Sequence, residues 1–594
     1  MTMARYFKRT ALVLPFLGSI LLGMGSADAG CGTYSEIQRR IKLRAQGKQY
    51  LRKTASLSLP GRTLLTAHFA IHYTMMRNEH RPRLVAGDSV PLIRAVDSIL
   101  QTFPSSWSTT QKGTALHAAL DSMGAPPPLY VQRAAIYLER AWSYYADSLG
   151  MNMPSGGGSD QYFITSSIPG KFNVDIADIT TADPSNGGAT YGLTYPPLDA
   201  SSSASILLEN DFLYNVNVDP GTGRIAGISI KAIMNGQVIR DYAADWDLGI
   251  KVTVSHEFYH AVQYKYTPDP FSHPHAWYEL AATGMEERLA PEVNDYFQYL
   301  PCLLQHHQEI SLLATSSGVC PLALYGEGIF HQFLTRDLGR AFDVQVWSRL
   351  HDNGNDLPGA LTGMATALGS RWDTLYASYA ASLSAAGRAG SSATCSDTTA
   401  AIFLRDLRCW PVPALDTVPA LATSKTLSIP SLTFQSIKPA AMGKVGAVSL
   451  TGLTGAERVQ KTASGFNTVA LNGSSFFLFP SPDSSVLSLT VSNSSFSAVG
   501  QAVLSSRPQS FLAFPNPAIL SNAQVYFFAP VEAVEPLTLT VVSEAGRRVA
   551  ELSLNPAQAS WTWNLKDEKG HAIPPGAYYY RIPGQAAKSL LIMP

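Results

Sequence analysis

Residues 256 to 260 read His-Glu-Phe-Tyr-His, a spacing that can build most of a metal site. On a helix, side chains four apart share a face, so His256 and His260 can both turn a ring nitrogen to one Zn²⁺. Glu257 lies off that line and is no ligand. Its carboxylate projects beside the metal, where it can take a proton from a zinc-bound water and return it to a leaving amine. Catalytic zinc keeps three protein ligands and one open position, so a third ligand is required. Eighteen residues lie between His260 and Glu279, the candidate for that role. Glu286 and Glu287, further along, compete for it but read as solvated surface carboxylates. His273 and His275 are outside candidates in a proline-rich loop. The arrangement with a Gly and a third His soon after the pentad is excluded, because Gln263 and Tyr266 occupy those places.

These residues need two helices. Residues 246 to 265 contain no proline, and Ile250, Val254, Phe258 and Val262 recur at a spacing that predicts a helix with a buried apolar stripe. A proline-containing loop from Thr267 to Pro274 ends it, and a second helix starting near Ala276 can carry Glu279 back to the metal. Upstream, Gln161 to Ser166, Lys171 to Ile176 and Ala204 to Glu209 read as strands. Further helices are expected over Pro91 to Phe103, Tyr130 to Leu149, Phe342 to His351 and Arg371 to Ala385. Residues 67–395 are therefore read as one α+β unit. At 594 residues the chain is too long for a single core, so other domains must follow.

The pentad, the 18-residue gap and Glu279 in a Trp-x-Glu-x-x-Ala setting resemble the gluzincin zinc metallopeptidases. Residues from about 68 to 390 are similar to a family of bacterial secreted metalloproteases of myxobacterial type. The motifs that carry this are His68-Phe-Ala-Ile-His-Tyr-Thr74, Tyr130-Val-Gln-Arg-Ala-Ala135, Thr253 to Gln263, Trp277-Tyr-Glu279 and Tyr325-Gly-Glu-Gly328. Where such families usually have Glu-Gly-x-Ala, this chain has Glu279-Leu-Ala-Ala282. The resemblance implies that Glu279 is the third ligand, with one Zn²⁺ per chain. It also implies a Tyr or His donor opposite the general base, steadying the oxyanion on the scissile carbonyl. Tyr325, opening a helix expected over 325–337, is the candidate, with packing as its other reading; His331 reads as structural. In gluzincins the strand before the active helix commonly rims the cleft and can pair with substrate backbone. Ser205 to Asp211 could be that edge, its default reading being a buried strand.

Arg5, Lys8 and Arg9 precede an apolar run from Thr10 to Met24, and Ala27-Asp-Ala29 follows with small residues. Residues 1–29 thus read as an export signal peptide. Cleavage before Cys31 would instead give a lipidated protein, but Asp28 stands where that motif wants an aliphatic residue. No later run is long enough for a membrane span. Residues 30–66, basic and weakly periodic, read as a lead or propeptide. Forty-four basic residues balance 44 acidic ones, which implies neither nucleic acid nor an anionic membrane as partner. Five cysteines suit an oxidising compartment, with Cys302–Cys320 and Cys395–Cys409 as short-range disulfides and Cys31 left over.

After about residue 395 Pro, Ser, Thr and Val rise and strands alternate with turns, as in Thr426 to Pro430 and Val486 to Val491, so 396–508 reads as a β-sandwich. Residues 511–594 carry Phe514-Pro-Asn-Pro517, Leu537 to Val541, Trp561-Thr-Trp563, Asp567 to Gly570 and Gly576-Ala-Tyr-Tyr-Tyr-Arg581, and resemble FlgD-like immunoglobulin-type modules and type IX secretion sorting domains. The fold expected is an α+β gluzincin-like metallopeptidase domain followed by two all-β immunoglobulin-like sandwiches. Its function is then that of a bacterial secreted or cell-surface zinc peptidase acting on proteins or peptides, with secretion machinery or the cell surface as partner of the last module. The alternative is a surface binding or adhesion protein whose peptidase unit is vestigial. An intact Glu257 argues against it, since a structural zinc site has no use for a general base.

Overall fold

A computed structural model describes residues 42, 59–76, 80–156, 163, 168–179, 190–197, 203–218, 225–267, 274–314, 319–386, 403, 424–438, 446–453, 455–462, 465–471, 475–478, 486–505, 512–514, 516–520, 524–528, 536–554 and 561–594, apart from residues 77–79 and other gaps between these ranges. The export segment 1–29, Cys31 with most of the lead, the strand over Gln161 to Ser166 except Phe163, His273 and the Cys395–Cys409 pairing lie outside the described residues. The chain divides into two compact units, residues 1–299 with 324–364, and residues 300–323 with 365–594. The first mixes helices with sheet, and the second is rich in β-strands.

In the first unit a five-stranded sheet has the order β1-β2-β3-β5-β4, with β1 Arg62–Leu65, β2 Phe69–Tyr73, β3 Phe172–Ile176, β4 Gly192–Tyr195 and β5 Ser205–Leu208. β2, β3 and β5 are parallel, while β1 and β4 close the two sides antiparallel. Every residue of β2 to β5 is buried, as expected for strands covered on both faces. Two sequence expectations change here. β1 lies inside the stretch read as a lead, so the sheet begins before residue 67. β5 is interior, in line with its default reading, and the rim belongs to β4, which has no counterpart among the strands expected from sequence.

The helices of this unit are α1 Val90–Thr102, α2 Thr109–Ser122, α3 Leu129–Ser143, α4 Trp246–Tyr266, α5 His275–Leu289, α6 Gly328–Leu338 and α7 Phe342–Asp352. α3 continues into a π turn over Tyr144–Ser148. α2 is absent from the sequence expectation although Ser108 and Gln111 form a capping box at its start. The helix expected over 325–337 is broken at Glu327, leaving a short turn Ala323–Gly326 before α6.

α4 carries the pentad and differs from the predicted amphipathic helix. From Gly249 to Tyr266 every residue except Lys251 and Lys265 is buried, so it is a central helix enclosed all round rather than one with a single apolar stripe. Its surroundings are largely aromatic: Phe258 packs among Phe69, Trp142, Tyr145 and Phe172. Tyr145 donates to the Ser255 carbonyl at 2.6 Å, tying the end of the α3 segment to the turn that precedes His256.

In the second unit, residues 424–505 form two four-stranded sheets that share a core of Leu427, Ile429, Val491, Ala502 and Leu504. A helix, Trp372–Ser384, covers one sheet, where Ser384 meets Ser436 at 2.5 Å and accepts from Thr490 at 2.6 Å. That helix therefore goes with this unit instead of the α+β block to which its sequence position assigned it. Residues 512–593 form a three-stranded and a five-stranded sheet around Phe527, Leu539, Trp563, Tyr580 and Leu590. Cys302 and Cys320 are disulfide-bonded, as their spacing predicts. Among the described residues no helix is long and apolar enough to cross a membrane.

Candidate functional site

α4 and α5 bring His256, His260 and Glu279 together as one buried group that could hold a metal ion. The two Nε2 atoms are 3.0 Å apart, and Glu279 Oε2 lies 3.2 Å from His256 Nε2 and 3.4 Å from His260 Nε2. Three donors on a tetrahedral zinc, each bonded at about 2.0–2.1 Å, would stand about 3.3 Å from one another. The spacing fits.

The opposite ring nitrogens say why a cation belongs there. His260 Nδ1 meets Gln263 Oε1 at 2.7 Å, and Gln263 Nε2 in turn donates to the Tyr278 carbonyl at 2.9 Å. The amide oxygen can only accept, so the His260 proton sits on Nδ1. His256 Nδ1 meets Glu286 Oε1 at 2.6 Å, a carboxylate–imidazole pair that likewise favours a proton on Nδ1. Both Nε2 lone pairs then converge with a carboxylate oxygen. Burial pushes the Glu279 carboxyl up, but the charge of His260 and hydrogen bonds with both imidazoles outweigh it and hold the group at about 2. Three acceptors sharing one buried space are what a divalent cation satisfies. His275, the outside candidate, opens α5 and is not in this group.

Glu286 corrects the sequence reading. It and Glu287 are 6% and 1% exposed, not solvated, because α5 is buried along almost its whole length. Gly284 allows this: a side chain there would strike the His331 ring on α6. His331 donates to or accepts from Asp343 at 2.7 Å, and Arg288 donates to the same carboxylate at 2.7 Å. Burial raises the Asp343 carboxyl, yet the charges of His331 and Arg288 leave it below the ordinary range. This fully buried pairing ties α5, α6 and α7 together and gives His331 the structural role its sequence position suggested.

Glu257, the base predicted from sequence, is 1% exposed and faces β4. The Thr194 hydroxyl is 2.7 Å from Glu257 Oε2 and 2.8 Å from its backbone carbonyl. A Cβ on Gly192 would lie 2.5 Å from Glu257 Cγ, so only glycine lets the strand come this close. Glu257 and His256 border a cavity with about 300 Å³ of empty space. Tyr325 is on its wall, 4% exposed, its ring 6.2 Å from that of His256 and 5.1 Å from that of Tyr299. Glu286 and Asp295 line it as well. Burial lifts the Glu286 carboxyl to about 7, and it raises that of Asp295 despite hydrogen bonds from Tyr242, Gln298 and Tyr191.

Sequence reasoning thus found the pentad, Glu279 and Tyr325 but missed Thr194, Gln263, Glu286 and Asp295. Two of these had a local signal. Gln263 lies three residues after His260, and Glu286 lies seven after Glu279, both helical spacings that keep side chains on one face. Thr194 and Asp295 arrive from other elements and had none.

No protein-family model matches the chain, and no curated protein matches its sequence. Among solved structures it has weak likeness to PorZ of Porphyromonas gingivalis, described as an essential bacterial surface component of the type IX secretion system, at 15% identity and TM-score 0.13, covering 18% of this chain and 14% of that one. Latent PorU of the same organism gives 14% identity and TM-score 0.13 over 30% and 18%. A Faecalibacterium prausnitzii β-glucuronidase gives 10% identity and TM-score 0.11 over 27% and 36%. The chain spans less than a fifth of the length of the first two and about a third of the third. Likeness at this level fixes neither fold nor function.

Proposed function

We propose that the chain is an exported zinc-dependent peptidase of gluzincin type that hydrolyses peptide bonds. The observation that carries this reading is a general base beside three converging metal donors: Glu257 borders the same cavity as His256, whose Nε2 faces His260 and Glu279. His256, His260 and Glu279 would hold the ion, positioned by Glu286 and Gln263. Zinc at such a site acts as a Lewis acid and acidifies water. Glu257, its Oε2 held by the Thr194 hydroxyl, takes the proton of the attacking water and delivers it to the leaving amine. Tyr325 is the candidate donor to the oxyanion, and β4, the open rim beside Glu257, is where substrate backbone can add as a strand. The signal-like amino terminus and the resemblance of residues 511–594 to sorting modules support export to the surface or medium.

Metal content and hydrolysis of unfolded casein, measured for the mature protein and for Glu257→Gln, test this. One zinc per chain in both, with cleavage only in the unsubstituted protein and abolished by a chelator, is the expected result. Unchanged cleavage in Glu257→Gln refutes the mechanism. A protein that binds no metal returns the β-rich region and a surface-binding role to the front.

A further inference from the structure

Resting on the peptidase reading above, we infer that the cavity beside the triad is a subsite for a cationic group of the substrate, an ammonium or guanidinium near the scissile bond. Glu286 and Asp295 supply the charge. Glu286 is 6% exposed and spends Oε1 on His256 at 2.6 Å, while its buried Oε2 has no hydrogen-bond partner among the described residues. Asp295 is 4% exposed, and its donors, Tyr191 at 3.3 Å, Gln298 at 3.1 Å and Tyr242, all converge on Oδ1, which leaves Oδ2 for a further donor. A buried carboxylate oxygen without a donor is costly, and a charged donor brought by a ligand is the strongest way to satisfy it.

The remaining walls agree with that chemistry. Tyr191, Tyr299 and Tyr325 line the cavity, and aromatic faces attract cations. No lysine or arginine is among its lining residues. Even with a divalent ion on the triad, Glu257, Glu279, Glu286 and Asp295 together outnumber its charge, so an anionic side chain would be repelled and a neutral one would leave both oxygens unpaired. The empty space, about 300 Å³, suits one long side chain or a chain terminus and not an extended ligand. The cation could therefore come from a Lys or Arg side chain or from a free α-amine.

The test uses zinc-loaded full-length mature protein and a set of short peptides with one scissile bond. Lys, Arg, norleucine and Glu are placed in turn on either side of it, each peptide with a free and with an acetylated amino terminus. A preference of about tenfold or more in kcat/KM for Lys and Arg over norleucine at one position, unaffected by acetylation, assigns the side chain; a similar loss on acetylation assigns the terminus. In Asp295→Asn, which retains Oδ1, that preference should shrink toward unity with zinc stoichiometry unchanged. Rates that agree within about twofold across Lys, norleucine, free and blocked peptides overturn the proposal. That comparison needs no variant, so misfolding of Asp295→Asn does not protect the idea. If no peptide is cleaved, the peptidase reading fails separately, and calorimetric binding of n-butylammonium against n-butanol decides the subsite: tighter cation binding supports it, and equal or absent binding overturns it.

Discussion

Gln263→Leu isolates the claim that a neutral amide, two shells from any substrate, sets the metal affinity. Gln263 and His260 are both fully buried, and the Nδ1 to Oε1 contact is 2.7 Å. Leucine fills similar space but leaves the His260 Nδ1–H without an acceptor and frees the ring to rotate or change tautomer. A buried donor left unsatisfied costs about 1–3 kcal/mol, and loss of a partner behind a ligating histidine typically weakens metal binding about 10- to 100-fold. The two figures agree, since a factor of ten is about 1.4 kcal/mol. The zinc Kd, read by competition with a chromophoric chelator, should rise by that factor in Gln263→Leu. Gln263→Glu, which keeps an acceptor at the same place, should bind zinc more tightly than the Leu variant. If Gln263→Leu keeps the native circular dichroism spectrum and the Kd moves by less than about twofold, orientation of His260 by Gln263 is refuted.

Gly192→Ala should push Glu257 away from its position against β4, because the new Cβ would lie 2.5 Å from Glu257 Cγ and 2.6 Å from Thr253 Cγ2. A displaced base predicts a fall in kcat of about 100-fold with zinc content retained, checked by steady-state kinetics beside metal analysis. His117 accepts the Met75 amide at 2.9 Å through Nε2, and burial with the charge of Arg62 lowers its pKa to about 4. The unfolded chain therefore takes up this proton first, so the contribution is complete above about pH 6.5 and is lost as pH falls towards 4, amounting to about 3 kcal/mol. Urea unfolding at several pH values should show that slope, and His117→Gln should flatten it; an identical slope in the variant counts against the assignment. Opening the Cys302–Cys320 bridge, which spans a separation of 18 residues, should cost about 3 kcal/mol in the second unit, measured as a lower melting temperature of the Cys302→Ala, Cys320→Ala double variant.

The pentad was legible because its information is local. Two histidines four apart need only a helix to converge, and helix formation over 246–266 follows from that stretch alone. The return of Glu279 was legible for a similar reason: a proline-bounded loop and a second helix leave few geometries. The same reasoning failed where burial depended on what packs outside the helix. α4 looked amphipathic because Ile250, Val254, Phe258 and Val262 stood out, yet its histidines, serine, threonine and glutamines are buried as well, satisfied by partners from elsewhere in the fold. Glu286 looked solvated because an acidic residue is usually outside, and nothing within α5 says that His256 and the α6 side will close over it.

By itself, then, the sequence determined the identity of the three donors and the base, the disulfide between Cys302 and Cys320, and the change to β-rich structure near the carboxyl terminus. Each depends on periodicity, spacing or composition within a short stretch. The tertiary structure alone decided that β4 is the rim, that Thr194 holds Glu257, and that Glu286 and Asp295 share one cavity with Tyr325. These residues are separated by up to 131 positions along the chain, from Thr194 to Tyr325. Only strand order and helix packing set the distances between them.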